Sequence, residues 1–109
     1  MRYQITDKQL EGVIFLYLDN QDFIQINYTY ETYFVNSRSD KSGVIRYDSQ
    51  DDRCYIDFNL IDEVSSFFSL KETYSKNIIK EWVGNKLNVE IKDVAGIGEF
   101  FSEYLRMRN

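Results

Sequence analysis

Strict alternation of apolar and polar residues, over 24–31 and again over 54–60, limits the fold more than any other feature of the chain. Ile24, Ile26, Tyr28 and Tyr30 alternate with Gln25, Asn27, Thr29 and Glu31, and Cys54, Ile56, Phe58 and Leu60 alternate with Tyr55, Asp57 and Asn59. Successive side chains of a strand point to opposite faces, so each stretch reads as a strand with a core side and a wet side. Tyr28 and Tyr30 then share the inward face with Ile24 and Ile26. Tyr33-Phe34-Val35 continues as a second strand, or as the same one past a bulge. Ser37 to Gly43 is a polar loop, Val44-Ile45-Arg46-Tyr47 a short strand, and Gln50-Asp51-Asp52-Arg53 the turn after it. These pieces predict an antiparallel meander.

Helical periods flank the meander. Thr6-Asp7-Lys8-Gln9 has the form of a capping box, and Leu10, Val13, Ile14 and Tyr17 follow on one helical face. Gly12 interrupts that face, and Val13 to Leu18 would also suit a buried strand; the reading taken is helix. After Asn59, a candidate N-cap, Ile61, Val64, Phe67 and Phe68 line one side of a short helix. Ser69-Leu70-Lys71-Glu72 resembles a second capping box, opening a longer helix with Tyr74, Ile78, Ile79, Trp82, Val83 and Leu87 inward and Gly84 and Asn85 near its end. Val89 to Val94 alternates as a last strand, broken by Gly96 and Gly98. Phe100, Phe101, Tyr104 and Leu105 predict a terminal helix. The expected fold is therefore α+β: an antiparallel sheet of about four strands against two to four helices, in one domain spanning residues 1–109.

Charge is concentrated in one place. Asp48, Asp51, Asp52, Asp57, Asp62 and Glu63 lie within sixteen residues beside one cation, Arg53, a net of −5 that equals the charge of the whole chain. A localised field is a statement about partners. This one favours a basic protein surface and argues against direct binding of nucleic acid. The same residues also suit turns, a wet strand face and a helix start, where carboxylates are ordinary. Calcium is a weaker reading, because Asp48 to Arg53 has no glycine for the sharp turn and places an arginine inside it.

The chain contains no histidine. That removes the usual general base, the usual metal ligand and every Ser-His-Asp or Cys-His nucleophile system. One cysteine and carboxylates do not make a zinc site. Glu90-Ile91-Lys92 matches the E-x-K piece of metal-dependent nucleases and would need Asp57 from a neighbouring strand to share the metal. Alternating strands produce that triplet constantly. Gly96-Ile97-Gly98 lacks the third glycine of a phosphate-binding turn and reads as chain punctuation. Lys76 and Lys80 read as a solvated helix face, and Cys54 as a small buried hydrophobe.

The lone cysteine, the absence of an apolar signal core after Met1-Arg2-Tyr3-Gln4 and a longest apolar run of only six residues, Val13 to Leu18, predict a cytoplasmic protein with no membrane span. The functional expectation is a non-enzymatic protein that binds, and inhibits, another protein through Asp48, Asp51, Asp52, Asp57, Asp62 and Glu63. The class intended is an immunity protein against a nuclease toxin, or a phage-type inhibitor of a nucleic-acid enzyme. No catalytic residue, metal or cofactor is expected. Two alternatives are a structural subunit that forms homo-oligomers, and a small metal-dependent hydrolase built on Asp57, Glu90 and Lys92.

Overall fold

The Thr6 hydroxyl accepts from the Gln9 amide at 3.1 Å, while Gln9 Oε1 accepts from the Thr6 amide at 2.9 Å. This reciprocal box starts the first helix, as its sequence predicts. A computed structural model describes residues 6–35 and 43–98. Its elements are α1 (Asp7–Asp19), β1 (Ile24–Asn27), β2 (Glu31–Val35), β3 (Gly43–Asp48), β4 (Arg53–Asp57), α2 (Phe58–Phe68), α3 (Glu72–Leu87) and β5 (Asp93–Ile97). Residues 37–42 of the expected polar loop and the whole expected terminal helix lie outside the described residues.

The chain is α+β, with a five-stranded sheet in the order β1-β2-β3-β4-β5. The first four strands form the predicted antiparallel meander, but β5 pairs with β4 in parallel, so the sheet is mixed. A parallel neighbour needs a crossover, and α2 and α3 supply it. All three helices pack on one face. Ile14 and Leu18 of α1, Ile61 and Val64 of α2 and Ile78, Ile79, Trp82 and Val83 of α3 meet Phe34, Ile45, Cys54 and Ile56 of the sheet. The opposite face carries a smaller cluster in which Tyr33 and Val35 are buried beside Ile26, Tyr28, Tyr55 and Ile97.

Several boundaries differ from the sequence reading, each for a local reason. The first alternating stretch ends at Asn27, because the Tyr28 amide donates to the Glu31 carbonyl at 2.7 Å and turns the chain back into β2. Ile24 and Tyr30 are therefore exposed rather than inward, and only Ile26 and Tyr28 pack, against the second face. The second stretch stops at Asp57, which caps α2 by accepting from the Asn59 amide at 2.7 Å; Asn59 is not the cap, and Phe58 and Leu60 are helical. Ser69 is the left-handed terminator of α2 (φ 57°), not the start of α3, whose N-cap Lys71 makes no side-chain capping bond. Val13 faces solvent, and Leu18 takes the inward place expected of it. The last strand begins at Asp93, so Val89 to Lys92 is not strand, and Gly96 lies inside β5 rather than ending it.

Helices α2 and α3 end alike. The Leu70 amide reaches back to the Ser65 carbonyl at 2.8 Å, and the Val89 amide to the Gly84 carbonyl at 3.0 Å. Each return passes through a left-handed residue, Ser69 and Asn88. At the second one a methyl on Gly84 would sit 2.8 Å from the Val89 carbonyl oxygen, so the helix continues through a glycine that its own close return demands. The Ser65 and Ser75 hydroxyls share a bond of 2.8 Å between α2 and α3, which satisfies the buried Ser75.

Two outcomes are expected. Left-handed backbone costs a side chain about 1–2 kcal/mol, of which glycine returns roughly 0.5–1 through its looser unfolded chain. Ser69→Gly should thus raise the thermal midpoint by a few degrees in a melting experiment. The Asp19 carboxyl is held below its ordinary value, chiefly by Lys86 and then by the Trp82 N–H. A depressed carboxylate stabilises above its unfolded pKa of about 3.9 and loses that contribution as pH falls through the folded value. In urea titrations, Asp19→Asn should be less stable than the parent at neutral pH, and the difference should close below about pH 4.

Candidate functional site

The six predicted carboxylates fall into two groups separated by the length of β4. Asp48, Asp51 and Asp52 occupy the β3–β4 turn, whereas Asp57, Asp62 and Glu63 belong to the start of α2 and its second turn. At about 3.3 Å per residue, β4 holds the groups roughly 13 Å apart. Among the described residues, no three of His, Cys, Asp and Glu gather as they would around a metal ion.

Half of the six serve the local structure. The Asp48 carboxylate accepts from the Gln50 amide at 2.9 Å and the Asp51 amide at 3.4 Å, which shapes the turn. Asp52 is left-handed (φ 53°) and accepts from the Tyr47 hydroxyl at 3.0 Å. Asp57 is the α2 cap. The segment's single cation is spent outside it, because Arg53 donates through Nε and Nη2 to Asp93 at 3.1 and 2.7 Å across the β4–β5 pair. That guanidinium holds the Asp93 carboxyl below its ordinary value. Asp51, Asp62 and Glu63 remain, exposed, and no protein donor meets their carboxylates among the described residues.

Asp62 and Glu63 line a groove of about 540 Å³ between α2 and the α1–β1 connection. Its apolar lining is Phe23, Val44 and Leu60, and Gln21 completes its polar side. The Gln21 amide donates to the Tyr17 carbonyl at 3.4 Å, and the Tyr17 ring lies 4.9 Å from that of Phe67, one turn beyond Glu63 on α2. The outer member of that aromatic pair, Phe67, is 67% exposed. Leu16, beside Tyr17 on α1, is 60% exposed. Isolated exposed apolar residues are ordinary, but an exposed aromatic ring one helical turn from a groove-lining carboxylate is a candidate contact point.

Sequence reasoning assigned Phe67 to the core face of α2 and left out Leu16, Gln21 and Phe23. One signal was available. Phe58, Leu60, Ile61, Val64, Phe67 and Phe68 wrap more of an eleven-residue helix than a single buried stripe covers, so some of them had to face outward.

The E-x-K residues do not converge with Asp57. Parallel pairing aligns Arg53 with Asp93 and Asp57 with Ile97. Glu90 and Lys92 precede β5 and lie past the Arg53 end of β4, with Asp57 at the other end. Lys80, expected on a solvated face, has only 18% of its side chain exposed and pairs with Glu81 at 3.7 Å. Cys54 is buried as expected, and burial pushes its thiol up to about 12. The thiolate is the reactive form, so native Cys54 should resist alkylation by iodoacetamide at pH 8 and react at once in guanidinium, as followed by mass spectrometry.

No known protein family, curated protein or solved structure matches the chain.

Proposed function

We propose that the chain is a non-enzymatic binding protein that docks onto a basic surface of another protein through its acidic segment and inhibits it there. The observation that carries this reading is the set of exposed carboxylates at Asp51, Asp62 and Glu63, which meet no protein donor among the described residues. Carboxylates left without a cation in the folded chain are available to the cations of a partner. Because they are exposed, they lose little solvation until the partner arrives. Such groups raise the association rate and select the partner more than they add affinity. The basic surface this suits best is a nucleic-acid groove, so the class is an immunity protein against a nuclease toxin or a phage-type inhibitor of a nucleic-acid enzyme, acting in the cytoplasm. Among the described residues no helix is long and apolar enough to cross a membrane.

A self-assembling structural subunit is the second reading, and the exposure of Leu16 and Phe67 favours it. A concentration series of the pure chain by analytical ultracentrifugation separates the two.

The test is capture from native lysate at low and moderate salt, with the parent beside Asp51→Lys and beside a double Asp62→Lys, Glu63→Lys variant. Exposed charges of this kind change stability by no more than about 0.5 kcal/mol, so both variants should fold. The expected result is a stoichiometric partner that is held less well as salt rises and is lost on charge reversal. A partner held equally by every form at both salts would remove the acidic segment from the interface.

A further inference from the structure

We propose that the groove between α2 and the α1–β1 connection is the centre of the docking surface, and that it takes a basic amphipathic segment of the partner protein. In this arrangement a Lys or Arg of the segment reaches Asp62 and Glu63, and a neighbouring large apolar side chain rests on Phe67. The inference rests on the docking reading above and narrows it to one of the two acidic groups.

Three features of the molecule lead there. The turn group is largely committed, since Asp48 and Asp52 hold the turn together, whereas neither Asp62 nor Glu63 meets a donor among the described residues. The α2 pair lies beside the most exposed aromatic ring among the described residues, Phe67, one helical turn beyond Glu63, and binding energy concentrates where large side chains are desolvated, with charges at the rim. The groove has apolar residues in its lining and carboxylates along one side, with no cation among the described residues that line it. A purely apolar ligand would desolvate the carboxylates without compensation. A purely basic one would leave Phe67 in water. A segment with both characters satisfies both.

Charge complementarity also decides against a second copy of this chain. A two-fold contact repeats the same patch on both partners. Centred on Phe67, it would bring Asp62 and Glu63 of each copy toward the same carboxylates of the other, and like charges facing one another across an interface are strongly disfavoured.

The experiment titrates a synthetic helical peptide, with leucine on one face and lysine on the other, into isotope-labelled chain and follows the backbone amides by NMR. Two control peptides carry glutamate for lysine and alanine for leucine. The expected result is perturbation centred on Gln21, Asp62, Glu63 and Phe67 with the first peptide and neither control. Phe67→Ala, and separately Asp62→Lys with Glu63→Lys, should each weaken binding by about tenfold or more. Because Phe67 is mostly exposed, its variant should fold, and persistence of the Cys54 thiol against alkylation verifies that it has.

Binding that ignores Phe67→Ala, perturbations centred on the β3–β4 turn, or binding of the alanine control equal to the first peptide would each overturn the inference. So would a concentration-dependent dimer that loses its contact with Phe67→Ala. The captured partner separates this inference from the reading beneath it. A partner released by Asp51→Lys but retained by both groove variants keeps the docking protein and sinks the groove; a partner indifferent to all charge reversals sinks both.

Discussion

The Trp82 indole is the contact on which the arrangement of the layers depends. It lies on α3 with its ring 5.2 Å from that of Phe34 on the sheet and 5.8 Å from that of Phe23 just before β1. A buried indole needs an acceptor for its N–H, and this one finds Asp19 at 2.9 Å, the last residue of α1. A carboxylate is poorly placed at a helix C-terminus, where the macrodipole is already negative. Lys86 offsets that by pairing with Asp19 at 2.7 Å while lying 5.4 Å from the centre of the Trp82 ring. Few residues of α1 are fully buried, only Ile14 and Leu18, so this network does much to fix where the helix ends. The segment that follows, Gln21 to Phe23, supplies one side of the groove. The shape of the candidate interface is thus set in part by an indole that packs behind Phe23 without lining the groove itself.

The division of labour among the carboxylates follows from range. Asp48, Asp52 and Asp57 are engaged in hydrogen bonds within the fold, yet a field acts beyond contact range, so the whole segment still contributes to what a basic partner meets at a distance. Close contact is a different matter, because only a group without a donor can accept a new one without breaking an old one. At physiological salt, screening sets in over about 8 Å, less than the length of β4. The two ends of the segment therefore act as separate features at the surface while adding together in net charge.

How much of this was legible from the residues varied with how local the cause was. The Thr6–Gln9 box, the burial of Cys54, Ile56 and Ile45 and the stripe of α3 depend on neighbours in sequence, and pattern alone places them. The boundary at Asp57 is harder, because Phe58 and Leu60 continue the strand period while Asp57 offers a good cap; the cap wins, and the pattern runs three residues too long. Ser69 was ambiguous for a similar reason, since serine followed three residues later by glutamate suits a helix start, but the preceding helix uses the same serine to stop. The position of β5 was not readable locally. Its register against β4 depends on where α3 ends, which the Gly84–Val89 return determines. The charges of the site were plain in the sequence, but which of them would find donors was not, because Tyr47, the turn amides and the α2 amides take their places only in the folded chain.

The parallel β4–β5 pair has a consequence for the order in which the chain assembles. The hairpins from β1 to β4 join residues close in sequence, whereas Arg53 meets Asp93 forty residues later. Closing so long a loop costs entropy before any contact repays it, and topologies with distant pairings fold more slowly. The meander has what it needs to form early, but β5 waits for α2 and α3 to dock and bring it alongside. Until then β4 is an open edge flanked by Cys54 and Ile56, so the slow step of folding coincides with the interval in which the chain is most exposed to pairing with another copy of itself.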